Sequence, residues 1–109
     1  MGLRKSRCVL GAIFIIAVLS VAPRPLAAAD KALGEYLSSE CVTCHQLSGQ
    51  FDGIRSIVGW SEPMFIEVMI EYRQKKRNSE IMQTIAGRLS GEEVAALATY
   101  FGSLQPHAK

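Results

Sequence analysis

The apolar residues of this chain form one unbroken run and three stripes at helical spacing. The run, from Val9 to Ala22, is shorter than the roughly 20 residues a bilayer span requires. Basic Arg4, Lys5 and Arg7 precede it, and Pro23, Pro25 and the small residues Ala27-Ala28-Ala29 follow. That order is the order of a secretory signal. Cleavage is expected before Asp30, which leaves residues 30–109 as one exported, periplasmic domain with no membrane span; a retained anchor is the other reading. Cys8 stands before the apolar run rather than after it, so it is expected to leave with the signal.

Past the signal the period becomes 3.6. Leu33, Tyr36 and Leu37 predict a short amphipathic helix from Asp30 to about Ser39, with Gly34 allowing another element to approach closely. From Gln46 to Trp60 the pattern fails, and Gly49, Gly53 and Gly59 mark a loop. Ser61 can cap the next helix, with Pro63 in its first turn. That helix is expected to run to about Lys76, where Arg73, Lys75, Lys76 and Arg77 would complement its negative end. Its core stripe is Phe65, Val68, Met69 and Tyr72, with Met64 on one shoulder and Ile66 and Ile70 on the other. The apolar arc exceeds the roughly 100° of an ordinary surface helix. Either a cofactor and other helices bury two of its sides, or Ile66 and Ile70 face a partner with Arg73 at the rim. The last helix opens on the capping box Ser90-Gly91-Glu92-Glu93, and Val94, Leu97, Ala98, Phe101 and Leu104 carry its stripe toward Pro106. Its packing on the Gly34 segment is expected. The fold class is all-α.

Charge changes the picture only once the signal is set aside. The 109 residues carry a formal charge of +2. Without Arg4, Lys5, Arg7 and Arg24 the remainder has eight basic side chains against ten acidic ones, a formal −2. The basic balance therefore belongs to the precursor, and it is no argument for nucleic-acid binding. A domain this small buries a modest core and often leans on a staple or a cofactor.

The candidate chemistry lies at Cys41-Val42-Thr43-Cys44-His45, a C-x-x-C-H sequence of the kind that attaches a c-type haem. Each thiol can form a thioether with a haem vinyl group, and His45 can reach the iron as proximal ligand. A structural zinc site would want four Cys or His ligands, and a redox dithiol would want a βαβ context. A simple Cys41–Cys44 disulfide is a further alternative in an oxidising compartment. For the distal position the candidates are Met64, Met69, Met82 and His107. Met64 and Met69 lie in a regular helix and suit core packing. His107 lies near the terminus and suits a solvated tail. Met82 follows the basic run and Asn78-Ser79 in a short segment between two helices, from which a side chain could lie over the far face of a porphyrin. Thioether sulfur opposite imidazole raises the potential and suits an electron carrier. No distal acid–base group stands beside Met82, which leaves a haem sensor or small haem enzyme the less favoured class.

These motifs make residues 30–105 resemble the class I c-type cytochromes, especially the short bacterial ones. The resemblance rests on Cys41–His45, a helix ending in Arg and Lys, Ser79-Glu80-Ile81-Met82, Gly87-Arg88-Leu89-Ser90 and Ala98-Thr99-Tyr100-Phe101. It implies three to five helices around one covalent haem c, with Cys41 and Cys44 attached to it, His45 and Met82 as the iron ligands, and the first and last helices crossing. Glu62-Pro63-Met64-Phe65-Ile66-Glu67-Val68-Met69 is most similar to the cytochrome subunit of flavocytochrome c sulfide dehydrogenases, which implies a flavoprotein partner that supplies the electrons. A free shuttle between respiratory complexes is the alternative. The chain is too short to hold a flavin domain, so dehydrogenase chemistry would belong to another chain. One departure stands out. The family usually has a proline after the haem motif whose carbonyl holds the histidine ring, and the equivalent position here is Ile54, after Gly53.

Overall fold

The computed structural model describes residues 2, 30–50 and 53–106. The predicted export segment (residue 2 apart), Cys8 and His107 lie outside the described residues. Four α-helices follow in chain order: α1 (Lys31–Leu37), α2 (Glu62–Arg73), α3 (Glu80–Arg88) and α4 (Gly91–Ser103), with a 3₁₀ turn at Ser38–Glu40 after α1. No strand occurs among the described residues, and no helix among them is long and apolar enough to cross a membrane. The all-α expectation and the helix count hold.

α1 starts where Asp30 accepts backbone hydrogen bonds from Ala32 and Leu33 at 3.0 and 3.2 Å, satisfying two of the free donors of the first turn. It crosses α4 at Gly34. A Cβ on that residue would lie 2.1 Å from the Ala96 carbonyl oxygen and 2.8 Å from Tyr100 Cβ. Two backbones touch here, so only a residue without a side chain fits. α4 begins with the full reciprocal capping box: Glu93 N donates to Ser90 Oγ at 3.2 Å, and Ser90 N donates to the Glu93 carboxylate at 2.7 Å. Its buried face carries Val94, Leu97, Phe101 and their small neighbours Ala96 and Ala98. Phe65 of α2 stacks on Phe101 with ring centroids 5.9 Å apart, which joins α2 to the α1–α4 pair.

The second helix ends three residues earlier than expected. Lys75 takes a left-handed φ of 59°, Lys75 N donates to Tyr72 O, and Lys76 N donates to Glu71 O. This is the paired hydrogen-bond pattern of a Schellman stop, so Lys75, Lys76 and Arg77 lie past the helix rather than in its last turn. Ser61 holds the N-cap position of α2, but its side chain makes no cap hydrogen bond. Met64, expected to suit the core, is 42% exposed. The segment around Met82 is not an irregular connection. It is the first turn of α3, where Ser79 Oγ accepts from Met82 N at 3.3 Å. That cap, with Glu80 in the first turn, favours a helix start over a loop. The 46–60 segment is irregular as expected, yet it buries Ile57 and Val58. Gly59 N donates to Phe101 O at 2.9 Å, which holds the loop against the end of α4.

Candidate functional site

Between the 41–45 turn, the returning loop, α2 and α3 lies a cleft whose lining is mostly apolar. Cys41, Cys44, His45 and Met82 all border it, together with Ile57, Trp60, Phe65, Val68, Met69 and Tyr72. Two stretches far apart in the chain, the 41–45 turn and α3, therefore bring the four residues singled out from the sequence to one place. The 3₁₀ turn after α1 leads directly into the motif: Cys41 N and Val42 N both donate to Ser38 O, and His45 N donates to Cys41 O at 2.8 Å. The pentapeptide is thus one further turn of chain that winds off the end of α1.

His45 is oriented by the loop. Its Nδ1 lies 2.6 Å from the carbonyl oxygen of Arg55. A carbonyl can only accept, so Nδ1 carries the proton and Nε2 keeps its lone pair for a ligand. The carbonyl belongs to Arg55, one residue beyond the Ile54 expected. Ile54 is 42% exposed, and Gly53, two residues before Arg55, takes a left-handed φ of 77°.

Cys41 is half-buried and Cys44 exposed, and both thiols are free. Burial, with the Glu40 carboxylate adding to it, pushes the Cys41 thiol up to about 11, so Cys41 holds its proton at neutral pH. No group of three or more His, Cys, Asp or Glu side chains among the described residues is arranged to hold a metal ion. Cys41, Cys44 and His45 do not converge on one point, as a zinc site requires. A donor set spread along a cleft suits a broad planar group instead: thiols to meet its periphery, imidazole and thioether to meet a central metal. The apolar walls fit the same group. On its donor chemistry and its lining, the cleft fits a haem.

Of the methionines, Met82 and Met69 reach the cleft and Met64 does not. Met69 is 5% exposed and belongs to the core of Phe65, Leu97 and Phe101; Met82 is only partly buried and lies at the edge of that core. Ile57 and Trp60 were not anticipated as lining. They lie within Ile57-Val58-Gly59-Trp60, an apolar cluster too short to show a period. Ile81 and Ile85 of α3 also border the cleft, and their spacing of four residues was legible.

Among curated proteins, the chain is similar to the cytochrome subunit of sulfide dehydrogenase from Chlorobaculum tepidum, with 33% identity over 72 residues, 65% of this chain and 66% of that one. It is also similar to the thiosulfate dehydrogenase electron acceptor of Thiomonas intermedia, with 31% identity over 103 residues, 92% of this chain and 43% of that one. The chain thus spans just under two thirds of the first relative and less than half of the second. No protein-family model matches it.

Proposed function

We propose that this chain, a c-type cytochrome related to the two sulfur-oxidation proteins just described, is an exported monohaem carrier of single electrons. The convergence of Cys41, Cys44, His45 and Met82 on one apolar cleft carries the reading. A haem held there would supply reversible one-electron iron chemistry. Cys41 and Cys44 would anchor it covalently through their sulfurs. His45, with its proton held on Nδ1 by Arg55, would offer Nε2 as proximal ligand, and Met82 would offer its thioether as distal ligand. Ile57, Trp60 and Phe65 would exclude water, which lowers the local dielectric and favours the less charged reduced state.

The electron donor is proposed to be a flavoprotein subunit, which the resemblance of residues 62–69 implies; the name of the Chlorobaculum relative, a cytochrome subunit of a dehydrogenase, supports a partner chain that supplies the electrons. The alternative is a free shuttle between redox partners, and the name of the Thiomonas relative, an electron acceptor of a dehydrogenase, is compatible with it. Export to the periplasm rests on the Arg4–Ala29 signal pattern.

The test is haem attachment. The purified mature chain is expected to hold one haem that acid-acetone does not extract, and Cys41→Ala or Cys44→Ala should leave a single linkage or no stable holoprotein. Haem that extracts freely, or zinc in its place, would overturn the assignment.

A further inference from the structure

We infer that Arg73 is a positioning residue for the Met82 sulfur: its guanidinium clamps α3 against α2 and so fixes the helix that presents the thioether to the cleft. The inference rests on the reading of Met82 as distal iron ligand. α3 has nine residues, fewer than the roughly 12–15 at which even a good isolated helix becomes marginal. Its position must come from its neighbours, and α2 is the main helix beside it. Met82 and Ala86 are spaced by four residues, which puts them on one stripe of α3, and Leu89 is the extended residue that caps its C-terminal end. Arg73 holds Ala86 and Leu89 by their backbone. Its Nε donates to Ala86 O at 3.2 Å, and its Nη2 donates to Leu89 O at 2.5 Å.

These carbonyls stand at the C-terminal end of α3, where helical partners run out and the dipole is negative. A cation there is favoured, and a guanidinium can bond two carbonyls at once because its donors form a rigid fork. The other polar ties of α3 to the rest of the molecule each hold it at a single point. Gln83 Nε2 donates to Arg77 O at 2.9 Å, near the start of the helix. The Arg88–Glu40 pair is 3.4 Å long, with both side chains 63% exposed, and exposed pairs contribute little. Releasing Arg73 should therefore let α3 lift, with Met82 moving away from the cleft.

Cyanide titration of the ferric holoprotein tests this, because an external ligand binds in proportion to the population in which Met82 has left. Met82→Ala is measured first. If it binds cyanide no more tightly than the unaltered protein, the ligand assignment fails and not the clamp. With that gate passed, Arg73→Ala is expected to bind cyanide about tenfold more tightly than the unaltered protein. Arg73→Lys keeps the charge at the helix end but not the two-point bond, and it should stay near Arg73→Ala. Return of the lysine variant to the unaltered value would show that charge alone matters and would overturn the clamp. Should the alanine variant not fold, the lysine variant decides by the same criterion. Val94→Ala removes core packing in α4 and serves as the control for general destabilisation; an equal gain in cyanide affinity there would also overturn the inference. As an independent readout, amide exchange over residues 80–88 should quicken in the Arg73 variants relative to α4. Unchanged exchange in α3 would count against it.

Discussion

At Gly34 the absence of a side chain is a packing requirement. Alanine in a helix is ordinarily better than glycine by up to about 1 kcal/mol, but here its Cβ would meet the Ala96 carbonyl at 2.1 Å. That neighbour is backbone of a buried helix and cannot swing aside. Gly34→Ala is therefore expected to destabilise the holoprotein by about 2 kcal/mol or more, seen as a lower Tm with unchanged haem content per folded molecule. A neutral or stabilising effect would mean that α1 and α4 cross less closely. His45 shows the same dependence on one atom. Its role in the cleft depends on which nitrogen carries the proton, and the Arg55 carbonyl at 2.6 Å decides that. Met69 and Met82 share the cleft yet differ in burial, so the first belongs to packing and the second is free to present its sulfur.

The helices are specified by their ends more than by their interiors. α4 has its capping box and α1 its Asp30 cap, both readable from four consecutive residues. α2 is stopped by a conformation instead. Lys75 occupies the left-handed position that glycine usually fills, and an L side chain there costs about 1–2 kcal/mol. Lys75→Gly should recover about 0.5–1 kcal/mol once the extra backbone freedom of glycine in the unfolded chain is set against that relief. Urea unfolding of the holoprotein measures it, and a loss of stability would mean that the lysine makes compensating contacts. The wide apolar arc of α2 is also clarified at this scale. Phe65 and Met69 face the core, Val68 and Tyr72 line the cleft, and Ile66 packs at the core edge while Ile70 is 41% exposed. Arg73, a candidate rim residue in the sequence, is committed to the carbonyls of α3.

For the whole molecule, the core beneath the cleft is thin. Among the described residues Phe101 and Leu97 are the largest fully buried side chains, and much of the remaining apolar surface of α2 and α3 faces the cleft. A ligand that binds only the folded state stabilises it, and a haem would cover this surface as well. The chain prepared without haem is accordingly expected to lose its cooperative thermal transition and most of its helical circular dichroism. An apo form that melts cooperatively with near-native helicity would show that the α1–α4 pair and the Phe65–Phe101 stack suffice alone.

Local chemistry was legible from residues close together in the chain: the Cys41–His45 spacing, the Ser90–Glu93 box and the stripe of α4. Each is set within a turn or two of helix, where covalent geometry leaves few choices. The capped start of α3 was local too, but Ser79 followed by Met82 lacks the reciprocal acidic partner that made α4 evident, and the segment read as a connection. Other features depended on where distant segments meet. That Arg55 rather than Ile54 holds His45, that Ile57 and Trp60 close the cleft, and that Arg73 bonds α3 instead of solvent all follow from the path of the chain between elements. That path is set by loop turns at Gly53 and Lys75 and by the burial of Ile57, Phe65 and Phe101 together. Sequence by itself determined the helices' faces and the donor atoms available; tertiary structure decided which donors share a cleft, because contacts across many residues depend on packing that no local pattern encodes.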